Sequence, residues 1–122
     1  MECVITDKKV IQKAIQGIVE SNSLISLDLS DFGNLNDILC YMVFKPNEGD
    51  CDFKTIINEY ALVNTKRIIV NTKSRDDIPL SLLEKVLSSL RKEFHQDIKI
   101  LYGSTTNIGL KETIFEIFMI FE

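Results

Sequence analysis

The chain has 122 residues, which is long enough for one domain that buries a hydrophobic core. Hydrophobic residues make up 45% of it and charged residues 26%, a balance that is typical of folded globular proteins and excludes a disordered chain. The formal net charge of −4 argues against nucleic acid or an anionic membrane surface as the main partner.

The first predicted element is an amphipathic helix over about residues 7–21, with apolar residues at spacings of one, three and four. Gly17 costs a helix interior about 1 kcal/mol relative to alanine, which indicates close backbone packing there. The stretch 24–32 follows. It places two carboxylates, Asp28 and Asp31, three residues apart, and it is the part of the chain that most resembles a chemical site.

The middle of the chain alternates between predicted strands and helices. A strand over residues 38–45 leads into a polar loop, and a second amphipathic helix then presents one apolar face. A short apolar run, residues 67–72, predicts a buried strand. The face of the second helix comprises Phe53, Ile56, Ile57, Tyr60 and Ala61.

The last third of the chain predicts one helix and two strands. A capping box formed by Ser81 and Glu84 starts a helix that runs to about residue 95. A strand over residues 98–102 ends at Gly103. The final strand, residues 113–121, is nearly all apolar and should be central or covered on both faces. Glu116 interrupts this apolar run, and the sequence leaves three environments open for its side chain: a sheet edge, a partner or solvent.

These elements predict an α+β domain, a four-stranded mixed β-sheet packed with about three helices. The three cysteines are widely spaced without a Cys-x-x-Cys pair, which favours reduced, buried thiols. Only one histidine is present, so no metal site is predicted. No apolar run approaches the roughly 20 residues of a membrane span and no signal peptide opens the chain. We therefore expect a cytoplasmic protein without a membrane span.

Five motifs in order resemble the C-terminal domain of FtsZ, the tubulin-like GTPase of bacterial cell division. The family's central helix ends in Gln/Lys-Gly-Ile/Val, and its synergy loop reads Leu-Ile-Asn-x-Asp-Phe-Ala-Asp-Val. A strand Val-Leu-Val-Asn-Ile, a helix start Leu-x-Leu-x-Glu and a Gly-Thr pair follow. The corresponding segments here are residues 16–18, 24–32, 68–72, 80–84 and 103–104.

The resemblance covers almost the whole chain and implies one FtsZ C-terminal-like domain over residues 1–122, beginning with the end of the central helix. The implied architecture is the tubulin/FtsZ C-terminal one, which is also similar to chorismate mutase. The family's synergy loop completes the GTP site of the next subunit in a filament. By matched position Asp28 and Asp31 would be catalytic in trans, and the contacts to nucleotide or subunit would be Ser26, Leu27, Leu29 and Ser30.

The sequence also departs from the family. Ser26 replaces the loop asparagine, and the residues around the two acids differ. No segment resembles the family's Gly-rich phosphate loop, so we expect no GTP hydrolysis by this chain alone and no cofactor held within it. GTP and Mg would belong to the partner subunit. The simpler alternative is that Asp31 caps a short helix and Asp28 is a solvated loop acid.

Three functions remain open. The first is a filament interaction module that docks on an FtsZ-like subunit or on itself and contributes to GTP hydrolysis in trans. The second is a regulatory or degenerate domain that caps filaments or self-associates. The third, resting on fold analogy alone, is a small trimeric enzyme that binds its ligand between subunits.

Overall fold

The computed structural model describes residues 3–21, 23–25, 27–45, 59–75, 80–94, 98–107 and 109–121. These residues form six strands, four α-helices and a 3-10 turn at Leu35–Asp37. The strands are β1 (Cys3–Ile5), β2 (Ser23–Ile25), β3 (Ile38–Phe44), β4 (Arg67–Ser74), β5 (Lys99–Thr106) and β6 (Ile114–Ile120). The helices are α1 (Lys8–Val19), α2 (Leu29–Phe32), α3 (Glu59–Asn64) and α4 (Leu80–Glu93).

All the described strands belong to one mixed sheet with the order β1-β3-β6-β4-β5-β2. β4 and β5 are parallel, and every other neighbouring pair is antiparallel. The four inner strands form the predicted four-stranded mixed sheet and confirm the α+β class. β1 and β2 extend it at its two edges, and neither was predicted because three residues are too few to show an alternating pattern.

The prediction for the last strand is confirmed. β6 lies between β3 and β4, and both of its faces are covered. Phe115 and Phe118 are fully buried on opposite faces, because odd and even positions of a strand point to opposite sides. Phe121 lies just beyond the strand and is 46% exposed.

One face of the sheet is covered by α3 and α4. α4 packs on the sheet through the buried side chains of Val86 and Leu90, and Phe94 directly after the helix is buried with them. The prediction for α3 is wrong at Tyr60, which is 65% exposed, although Ala61 is buried. The other residues of that predicted face, 53, 56 and 57, lie outside the described part of the chain.

The other face is covered mainly by α1. Ile11, Ile15 and Ile18 are buried against this face of the sheet. Asp7 caps the helix, and its carboxylate accepts the N–H of Lys9 at 2.9 Å. The Lys8 ammonium donates to two backbone carbonyls beyond the helix, those of Leu35 and Ile38.

Three local predictions are wrong. Gly103 does not end a strand, because β5 continues through it to Thr106 in parallel register with β4. Ser81 is the second residue of α4 and not its cap. Gly17 has no neighbour within 4 Å of the place where a Cβ would stand, so close packing does not explain it.

Candidate functional site

Within the stretch 24–32, β2 ends at Ile25, and the segment of residues 27–32 contains the single turn of α2. Leu27, at 4% exposure, packs over the bare backbone of Gly103 in β5. Phe32 is buried, and its ring meets that of Phe118 edge to face with centroids 5.0 Å apart. Apolar contacts therefore fix both ends of this segment and leave the residues between them at the surface.

The two acids lie in the same helical turn. Asp28 is the N-cap of α2, and its backbone N–H donates to Oδ2 of Asp31 at 2.6 Å. The N–H of Asp31 in turn donates to the carbonyl of Asp28 at 3.0 Å. The side chain of Asp28 is exposed and that of Asp31 is half-buried. The carboxylate of Asp31 thus stabilises the start of α2, as a capping residue does.

Arg67 is the first residue of β4, and its side chain connects that strand to α2. Its Nη1 donates to the carbonyl oxygen of Asp31 at 2.6 Å, at the end of a helix where a cation is favourable. Gly33 ends the turn with φ +66°, in the left-handed region that favours glycine. A Cβ on Gly33 would also stand 2.9 Å from Nη2 of Arg67. These contacts fix α2 relative to the sheet.

A surface pocket of about 520 Å³ opens beside α2, where β4 and β5 begin. We call it the β4–β5 pocket. Its lining includes Ser30, Asp31, Arg67, Lys99 and Leu101. The acidic turn predicted as a site therefore shares a cavity with two cationic side chains from the sheet.

The residues predicted to contact nucleotide or a subunit differ in how much of each side chain is exposed. Leu29 and Ser30 are exposed, with Leu29 at 65%, and both are available to a partner. The side chain of Leu27 is buried and packs within the fold, and its contact to nucleotide or subunit stays a prediction. Ser26 lies outside the described residues.

Sequence reasoning missed a buried polar cluster around Glu116, which is 2% exposed. The hydroxyl of Tyr41 donates to its Oε2, and Nδ2 of Asn71 donates to its Oε1 at 3.2 Å. The ammonium of Lys73 lies 3.4 Å from the same Oε1. Glu116 therefore faces neither a sheet edge, nor a partner protein, nor solvent. Side chains of the two neighbouring strands bind its carboxylate inside the fold. The signal available was a lone acid within an apolar strand, which needs such partners.

Cys40 is a free, buried thiol in β3, 3.3 Å from the sulfur of Met119. This confirms the expectation for that cysteine. Burial raises the pKa of Cys40 from 9.0 to about 11, opposed by the charge of Lys8. A thiol with so high a pKa is a packing group and not a nucleophile.

The described residues contain neither a metal-binding cluster nor a membrane-spanning helix. No group of three or more His, Cys, Asp or Glu side chains there is arranged to hold a metal ion. Within the same ranges, no helix is long and apolar enough to cross a membrane.

The chain has an α+β fold with a mixed β-sheet, and this fold is similar to part of FtsZ. A search of solved structures matches an empty FtsZ dimer from M. jannaschii with a TM-score of 0.55 and 14% identity. A point mutant of FtsZ from M. jannaschii matches with a TM-score of 0.59 and 14% identity. Each match covers 93% of this chain, and this chain spans 38% of the length of each FtsZ chain. No family model and no curated protein matches the sequence.

Proposed function

We propose that this chain is an FtsZ-type filament interaction module that presents α2 to the nucleotide site of a neighbouring tubulin-like GTPase subunit. The observation that carries the proposal is the geometry of α2, an acidic turn held rigidly at the surface by Leu27, Phe32 and Arg67. The likeness of the fold to FtsZ supports the same reading.

In this proposal the chain hydrolyses no GTP by itself. Phosphoryl transfer depends mainly on positioning and on electrostatic stabilisation, and a carboxylate delivered in trans orients the attacking water. Asp28 suits this role best, because its side chain is exposed and its oxygens are of the type that hard cations and water prefer. GTP and Mg would belong to the partner subunit.

The test is a mixing experiment with FtsZ from the same organism. We expect the purified chain to show no GTP hydrolysis alone and to raise the GTPase rate of FtsZ when added in excess. Asp28→Asn should remove roughly nine-tenths or more of that stimulation, since it removes the charge and keeps the shape.

Asp7→Asn is the matched control for this variant. Asp7 is also an exposed N-cap aspartate, but it caps α1 and is not part of α2 or of the lining of the β4–β5 pocket. Asp7→Asn should therefore stimulate as the unmodified chain does. Equal stimulation by Asp28→Asn and Asp7→Asn would end the catalytic reading of α2, and FtsZ unaffected by excess chain would end the whole proposal.

One observation favours a second candidate, a regulatory domain that caps filaments. Oδ2 of Asp31 accepts the N–H of Asp28, so one of the two acids is engaged in its own turn. A chain that docks through α2 without activating water would shorten FtsZ polymers and leave the GTPase rate per FtsZ unit unraised. Sedimentation and electron microscopy of the same mixtures separate the two outcomes.

A further inference from the structure

The β4–β5 pocket contains an exposed cation that the proposed catalytic role of α2 does not use. Lys99 is the first residue of β5, and its side chain lines the pocket. No ion pair joins Lys99 to a carboxylate within the residues that the structure describes. Arg67, paired in register with it on β4, brings a second positive charge to the same cavity.

Asp31 supplies the one carboxylate among the described lining residues, and it forms no ion pair with Lys99. The carboxylate of Asp31 accepts the backbone N–H of Asp28, and the guanidinium of Arg67 donates to a backbone carbonyl. Among the described residues that line the pocket, Lys99 and Arg67 carry two positive charges and Asp31 carries one negative charge, so an incoming anion is favoured there.

Two large apolar side chains near Lys99 are exposed to solvent. Leu101 lines the pocket and is 41% exposed, and Leu29, next to Ser30 of the lining, is 65% exposed. Covering such exposed apolar side chains with a partner removes apolar surface from water, which favours association. A bare phosphate group would leave both leucines in water, whereas a protein segment would cover them.

We propose that the β4–β5 pocket is a docking site for a protein segment of the partner subunit that places one side-chain carboxylate on Lys99 between apolar contacts to Leu101 and Leu29. This inference rests on the proposed function, because the partner is the FtsZ subunit that receives α2. It adds a second contact, chemically distinct from the acidic turn, which fixes the orientation of the two subunits.

The test is the affinity of the chain for FtsZ, measured by isothermal titration at two salt concentrations. Lys99→Met should weaken binding at least tenfold at low salt and reduce the salt dependence, and Lys99→Glu should weaken it further. Lys111→Met is the control, because Lys111 is an exposed lysine beyond the opposite end of β5. It should bind as the unmodified chain does.

The source of the anion is tested with FtsZ in two states. A carboxylate contact predicts the same Lys99→Met loss for nucleotide-free and GTP-bound FtsZ. A loss seen only with GTP would assign Lys99 to a phosphate and overturn the inference. Unchanged binding by Lys99→Glu would overturn it while leaving the proposed function intact, and no binding of the unmodified chain in either state would overturn both.

Discussion

Leu27 occupies the space that a side chain at position 103 would need. A Cβ built on Gly103 overlaps Cγ and Cδ1 of Leu27 and lies 3.1 Å from Oδ1 of Asn71. Leu27 directly precedes Asp28, so the bare backbone of one strand residue is what allows the acidic turn to lie against the sheet. The glycine here serves a close approach.

Gly103→Ala should therefore displace Leu27 and loosen α2. We expect a loss of about 1–3 kcal/mol in the free energy of unfolding, as for other overpacked sites. Urea denaturation measures the loss, and hydrogen exchange of the Asp28 N–H reports on the turn. The double variant with Leu27→Ala should lose less than the sum of the two single variants, because each change removes the same overlap. Simple additivity would show that the two residues do not compete for space.

Gly33→Ala and Gly17→Ala should act in opposite directions. Gly33 has φ +66° and stands against Arg67, so alanine there should destabilise the fold by about 1–2 kcal/mol. Gly17 lies inside α1 with open space around it, so alanine should stabilise by up to about 1 kcal/mol. Thermal unfolding of the two variants checks the signs. A stabilising Gly33→Ala would refute the role assigned to its backbone conformation.

Removing the Glu116 carboxylate should be among the most damaging single changes in the sheet. Glu116→Ala leaves Tyr41, Asn71 and Lys73 without their shared acceptor, and we expect a loss of about 3–5 kcal/mol. Glu112→Ala is the matched control, since it removes a partly exposed ion pair with Lys45 at 3.1 Å. It should cost about 1 kcal/mol or less. Similar losses for both variants in urea denaturation at pH 7 would contradict the importance of the buried cluster.

Alkaline pH should weaken the fold through Cys40. The folded protein keeps the thiol proton up to about pH 11, whereas an unfolded chain releases it above about 9.0, because burial raises the pKa in the folded state. The stabilising contribution is complete below pH 9 and is lost as the pH rises from 9 to 11. Raising the pH from 8.5 to 10.5 should cost the unmodified chain about 2 kcal/mol more than it costs Cys40→Ala. Equal losses in urea denaturation would exclude this linkage.

The inner sheet and the two long helices could be predicted from the sequence because their apolar residues recur with a clear period. Ile11, Ile15 and Ile18 fix the buried face of α1, and the apolar run of β6 predicts a central strand. The extent of β5 could not be predicted. Gly103 reads as a turn residue in isolation, and only the side chain of Leu27 lying over it explains a glycine inside a strand.

The site was predicted in part. Asp28 and Asp31 lie in one turn at the surface, as the sequence suggested, but their catalytic role stays a prediction. Arg67 and Lys99 were missed as parts of the site. They lie 32 positions apart in the sequence, and only the parallel register of β4 and β5 makes them neighbours. The residues that bind Glu116 were missed as well. They come from β3 and β4, which become neighbours of β6 only in the folded sheet.

The central position of β6 has a consequence for how this sheet assembles. Among the described strands, β6 alone joins β1 and β3 on one side to β4, β5 and β2 on the other. The two halves of the sheet can join only after residues 114–120 have paired with β3 and β4. That pairing brings together segments that are far apart in the chain. Such long-range closure favours slow folding, and it makes the order of assembly a property of this one strand.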